Sequence, residues 1–164
     1  MKKIKENIYE IEITDVQSLF KERDIDSHKG MFGTVGIMGG SLEYSGAVKL
    51  ANMSASAVRS GAGIVKCDNK GHIYFNMNDL ERALKNLKAV AIGMGWGISE
   101  EYKKILDIII KKFNGKLLID ADGLNTLAHM DLNILKETNS QIILTPHLKE
   151  FQRLSKIDIE KIKQ

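Results

Sequence analysis

The residues best equipped for chemistry fall in four short stretches. DADGLN, residues 120–125, sets two carboxylates on either side of Ala121. At a strand tip, Asp120 and Asp122 can share one face and hold Mg²⁺ or a ribose hydroxyl. A carboxylate at such a place is also a common helix cap, with Asp122 the candidate. TPHLKE, residues 145–150, puts His147 at the first turn of a helix just past a strand, where an imidazole can donate to a carbonyl or phosphate, or simply cap. GGSLEYSGA (39–47) and GMGWG (93–97) are glycine-rich turns that let backbone amides approach an anion closely. The first lacks the Gly-Lys-Ser/Thr of a Walker A loop, and neither has the G-x-G-x-x-G spacing, which disfavours an NAD(P)-dependent oxidoreductase. Trp96 can stack on a ring, although a lone tryptophan beside a sheet reads better as core. His28 and Lys29 can close over the same mouth.

These stretches need a scaffold that brings them together, and the hydrophobic pattern supplies one. Apolar runs at 34–39, 64–68, 72–76, 89–93, 116–120 and 141–144 read as strands. Amphipathic segments at 46–60, 79–87, 100–113 and 148–154 read as helices, with one or two short helices between 124 and 137. Continuous apolar strands alternating with helices predict a single α/β domain over residues 1–164, with a mainly parallel sheet covered by helices on both faces. Ligands bind beyond the carboxyl ends of such strands, where helix N-termini point. All four stretches fall at those exits.

Composition narrows the function classes. The 164 residues carry 24 basic and 21 acidic side chains for a net charge of +3, scattered along the chain, so nothing points to nucleic acid. No apolar run reaches the ~20 residues of a membrane span, and the charged N-terminus lacks the apolar stretch of a secretory signal. Cys67 is alone, which excludes a disulfide framework and a cysteine metal cluster. A reducing, cytoplasmic location is expected.

Taken in order, HKGMFGTVGIMGGSLEYSGA, ASAVRSGAG, IGMGWG, IDADGLN and LTPHLKEF resemble the NAD(P)H-hydrate dehydratases, carbohydrate kinase-like repair enzymes with a ribokinase-like fold. The match runs from about residue 27 to 154 and implies a partial ribokinase-like fold. It also implies a reaction in which hydrated NADH or NADPH is restored by dehydration at the expense of ADP or ATP with Mg²⁺. By position, Tyr44, Gly46 and Ala47 would border the hydrated nicotinamide nucleotide. Gly95 and Gly97 would lie along its phosphates, and His147 would contact it from the last strand exit. Asp120, Asp122, Asn125 and Glu150 would support the pocket.

The resemblance also marks departures. Met94 stands where the family has the proline of Gly-Pro-Gly-Leu-Gly, Leu148–Lys149 stands for its Pro-Gly, and the stretch from 67 to 87 is shorter. In the family, a Lys-Gly pair and a Gly-Thr-Gly-Asp helix start, carrying the anion hole and catalytic base, follow the TPH corner. Nothing after Leu154 matches them. No catalytic residue is therefore identified, and this chain alone is expected to have little dehydratase activity. An unpaired sheet edge and open apolar face are expected to drive homo-oligomerisation, or to receive a second chain supplying the other half. A non-catalytic nucleotide-binding module and a folded remnant that binds nothing are the competing expectations.

Overall fold

The computed structural model describes residues 1–19, 25–27, 33–41, 44–57, 61–62 and 77–162. His28, Lys29, Cys67 and the expected strands at 64–68 and 72–76 lie outside the described residues.

Among the described residues, five parallel strands form the main sheet, in the order β4-β3-β5-β6-β7. They are β3 (Thr34–Met38), β4 (Gly61–Ala62), β5 (Ala89–Ile92), β6 (Lys116–Ile119) and β7 (Gln141–Leu144). Register is continuous across the four longer strands. Gly36, Val90, Leu117 and Ile142 form one row, and Met38, Ile92, Ile119 and Leu144 form another on the same face. The intervening rows, Val35-Ala89-Lys116-Gln141 and Ile37-Ala91-Leu118-Ile143, point to the other face.

The helices are α2 (Ser45–Ala57), α3 (Met77–Leu84), α4 (Glu100–Lys112), α5 (Ala121–Leu127), α6 (Leu148–Ser155) and α7 (Ile159–Ile162), with a 3₁₀ turn at Leu132–Lys136. A chain that steps left from β3 to β4 and then right through β5, β6 and β7 must place α2 on one face and α3, α4 and α5 on the other. This follows because parallel crossovers are right-handed. The core lies under the second group. Leu80, Leu84, Tyr102, Ile105, Leu106, Ile109, Ile110, Leu124, Leu127 and Leu154 close over Val90, Ile92, Leu117 and Ile119. In α4 the pattern is plain in the sequence. Ser99 accepts from the Tyr102 amide, Glu100 and Glu101 lie in the first turn, and Lys111 and Lys112 complement the dipole at its end.

The opposite face is covered unevenly. α2 contacts β3 and β4, and Ile37 is buried, whereas Ala89, Ala91 and Leu118 are half-buried and Ile143 is 55% exposed. Among the described residues, β7 has one sheet neighbour and is an edge. α2 itself turns Val48, Ala51 and Ala55 inward and leaves Leu50 and Met53 exposed.

A hairpin of β1 (Lys2–Lys5) and β2 (Ile8–Glu10), followed by α1 (Ile13–Gln17), precedes the sheet. The Met1 amino group pairs with Asp15, whose other oxygen accepts from the Glu12 amide. None of the hairpin's strand residues is buried.

Candidate functional site

The four strand exits meet along one rim because their strands are neighbours in the sheet. The β3 exit reaches the β5 exit first. The Gly40 amide donates to the Met94 carbonyl at 2.7 Å, and a Cβ on Gly39 would sit 2.5 Å from that same oxygen. Gly95 (φ +67°) serves this contact: a Cβ there would lie 2.6 Å from the Tyr44 carbonyl oxygen and 2.8 Å from Tyr44 Cβ. Its glycine seats one loop on the other and leaves no open space for a ligand.

The β5 exit is clamped in turn by the β6 exit. Gly93 (φ +105°) has its carbonyl bonded by the Asp122 amide at 3.1 Å, while the Gly97 amide donates to Asp122 Oδ2 at 2.9 Å. Asn125 Nδ2 reaches Asp122 Oδ1 at 3.3 Å, so both carboxylate oxygens of Asp122 are engaged. The strand-tip argument for a shared aspartate face fails here. β6 ends at Ile119, Asp120 is itself the N-cap of α5 with Oδ1 accepting from the Ala121 amide, and Asp122 lies inside the helix. The cap expected of Asp122 therefore belongs to Asp120. Ala121 between them has φ +46°, a left-handed conformation uncommon outside glycine, asparagine and aspartate.

The β7 exit joins through Thr145, whose amide donates to the Ile119 carbonyl at 3.3 Å. His147 caps α6: Nδ1 accepts from the Lys149 and Glu150 amides at 3.1 and 3.2 Å. Glu150 completes the capping box through Oε2 on the His147 amide, with Oε1 3.3 Å from His147 Nε2. An Nδ1 that accepts from amides leaves the ring proton on Nε2, facing Glu150. The Glu150 carboxylate is buried and serves the cap, while His147 is 62% exposed. Trp96 is wholly buried and stacked on Tyr102, centroids 5.0 Å apart and planes 8° off parallel, as core.

Two glycines on this rim answer to no neighbour. A Cβ at Gly46, in the first turn of α2, or at Gly97 (φ +81°) would meet nothing within 4 Å. Ala47 beside Gly46 is exposed, and the first turn of α2 carries no acidic side chain. The first turn of α4 carries Glu100 and Glu101. An anion seeking helix amides therefore finds a more favourable field at α2. The Gly97 amide already serves Asp122, so a ligand at Gly97 meets its outer, side-chain-free surface. Among the described residues no group of three His, Cys, Asp or Glu side chains could hold a metal.

Sequence reading missed Arg153, whose Nη1 donates to Asn125 Oδ1 at 2.5 Å from α6. The two residues are 28 apart, and nothing in their local sequence announces the contact. It also missed the Gly93–Gly123 contact, where a Cβ on Gly93 would fall 2.4 Å from the Gly123 nitrogen.

Residues 35–164 match the carbohydrate-kinase family described as NAD(P)H-hydrate dehydratase. The ADP-dependent (S)-NAD(P)H-hydrate dehydratase of Streptococcus pneumoniae is 33% identical over 169 residues, covering 92% of this chain and 56% of that protein. The ATP-dependent enzyme of Entamoeba histolytica is 31% identical, covering 85% of this chain and 52% of its own. Among solved structures, a hypothetical protein of Streptococcus mutans superposes with a TM-score of 0.71 at 26% identity, covering 85% of this chain and 55% of that one. The ADP/ATP-dependent NAD(P)H-hydrate dehydratase of Bacillus subtilis, co-crystallised with ATP and Mg²⁺, shares the fold at a TM-score of 0.65 and 21% identity. The chain spans about half the length of these relatives. With a parallel sheet, the ordered corners along its rim and a family match over residues 35–164, this chain belongs to the NAD(P)H-hydrate dehydratase family.

Proposed function

We infer that the rim built by Tyr44, Gly46, Ala47, Gly97 and His147 is the substrate side of a site for hydrated NADH or NADPH. The reaction is the ADP- or ATP-dependent dehydration for which the relatives are named. The observation that carries this reading is the unfilled space over Gly46 and Gly97 on neighbouring strand exits, bordered by a helix start free of acidic residues. A nucleoside di- or triphosphate bound beside that substrate would supply the phosphoryl group that turns the substrate's hydroxyl into a leaving group. The protein's own part is to present amides at α2, hold the Gly93–Gly97 loop through Asp122, and keep the rim rigid.

The open face of β5, β6 and β7 supports a further part of the reading: in the working protein it is covered by the remainder of the family's domain, in this or a second polypeptide. Exposed Ile143 and half-buried Leu118 and Ala91 are apolar surface, and each Å² left wet forgoes about 25 cal/mol. Without that remainder, a second copy takes the face and the isolated chain is a homo-oligomer. A monomer in sedimentation at micromolar concentration would remove the oligomer.

The site is tested by titrating the chain with ADP, ATP, AMP and NADPH and following thermal stability. Hydrated NADH with ADP or ATP is then assayed with and without the C-terminal portion of a relative. Stabilisation by a nucleotide that is lost on Gly46→Val supports the reading. Turnover appearing only with the added portion supports completion by a second part. Failure of every nucleotide to stabilise the protein sinks the site, and turnover at ordinary enzyme rates without the added portion sinks the incompleteness.

A further inference from the structure

The clamp on the β5 exit does not end at Asp122. Arg153, on the exposed side of α6, donates Nη1 to Asn125 Oδ1 at 2.5 Å. Asn125 Nδ2 donates to Asp122 Oδ1 at 3.3 Å, and Asp122 Oδ2 accepts the Gly97 amide at 2.9 Å. The Asn125 amide has a carbonyl at one end and a donor at the other. A cation on one side and a carboxylate on the other admit one orientation of it. Asn125 and Asp122 are half-buried, where such bonds are less diluted by water than on an open surface. The chain runs from the helix after β7, through the helix after β6, to the loop after β5.

From this geometry we propose that Arg153 is a positioning residue. Acting through Asn125 and Asp122, it fixes the peptide plane at Gly97 and so the side-chain-free surface that Gly97 turns outward. It touches no ligand itself. A φ of +81° at Gly97 leaves a glycine with several other conformations to visit, and the Asp122 carboxylate selects one. With Arg153 gone, Asn125 is free to rotate, Asp122 keeps a poorer partner, and the Gly97 peptide samples alternatives. His147 and Glu150 hold the start of the same helix, so anything that shifts the TPH corner is transmitted to the Gly97 loop by this route.

The relay is tested on the whole chain without ligand, by hydrogen exchange and NMR shift of the Gly97 amide. Arg153→Ala is expected to speed that exchange about 2- to 10-fold, the equilibrium equivalent of one net hydrogen bond. Arg153→Lys restores most of the protection, because a single donor suffices for Oδ1. Asn125→Asp is expected to be worse than Asn125→Ala. It replaces the donor that Asp122 Oδ1 receives with a second carboxylate, so Asp122 loses that bond and is repelled from its place as well. Unchanged Gly97 exchange in Arg153→Ala, when Asp122→Ala abolishes protection, overturns the proposal; so does an Asn125→Asp variant that protects the Gly97 amide as well as the parent does. The ligand arm rests on the reading above: Arg153→Ala weakens ADP or NADPH binding by a similar factor. If the parent binds neither, that reading fails while the exchange data still decide the relay.

Discussion

Two glycine-to-alanine substitutions on the same rim should move stability in opposite directions. At Gly93 an ideal Cβ would lie 2.1 Å from the Asp120 carbonyl oxygen, 2.4 Å from the Gly123 nitrogen and 2.7 Å from Gly123 Cα. All three are backbone atoms, held by Asp120 N to Ile92 O at 3.0 Å, Asp122 N to Gly93 O at 3.1 Å and Gly123 N to Asp120 O at 2.9 Å. Restoring ordinary contact requires an opening of about an ångström. That breaks the first two of these bonds at about 1 kcal/mol each. A φ of +105° adds about 1–3 kcal/mol for any residue with a Cβ. Gly93→Ala should therefore cost about 3–5 kcal/mol, a large share of the roughly 5–15 kcal/mol that holds a domain together. At Gly46 a Cβ meets nothing, φ is helical, and alanine favours the helix by up to about 1 kcal/mol. Urea unfolding followed by far-UV circular dichroism reads both. With a slope of about 2 kcal/mol per molar, Gly93→Ala should lower the midpoint by about 2 M and Gly46→Ala should raise it slightly. A Gly93→Ala midpoint within about 0.5 M of the parent would mean that the β5 and β6 exits do not press together as described. The second half of the test concerns function: Gly46→Ala should hold nucleotide less well although it folds better.

Other expectations follow from the same contacts. Ala121→Gly should be neutral or stabilising by up to about 1 kcal/mol, because relief of the left-handed strain at φ +46° offsets the added chain entropy; a loss of 1 kcal/mol in urea unfolding would contradict the strain. His147→Ala removes the acceptor for two amides of α6 and should cost about 1 kcal/mol. Glu150→Ala should cost at least as much, since it leaves the His147 amide without its acceptor, and urea unfolding with linear extrapolation checks both. Asp15 is held below the ordinary carboxylate range by its bond to the Met1 amino group and then by the Glu12 amide. A depressed carboxylate stabilises above its unfolded value and loses that as pH falls through the folded one. The hairpin's amide shifts should therefore hold from neutral pH into mild acid and move only under stronger acid. Movement nearer neutrality would break the assignment.

The class of fold and the order of its parts were legible in the sequence because both are local. Branched apolar runs at 89–92, 116–119 and 141–144 are long enough to bury and too short for helices, and the Ser99 cap with its acidic first turn starts α4. Chain order at the exits then told which corners share a rim, since ligands gather at the carboxyl ends of parallel strands. What each corner does there was not legible. Asp120 and Asp122 looked like a pair, but a single left-handed residue, Ala121, turns one into a cap and the other into the acceptor for Gly97. Gly95 and Gly97 look alike in GMGWG; one admits Tyr44 and the other faces open space, and only the position of a loop 51 residues earlier than Gly95 separates them. Arg153 was invisible for the same reason. Local sequence fixes backbone propensity and burial, whereas partners brought together by the order of strands in a sheet depend on crossovers whose lengths and landing points no short stretch encodes.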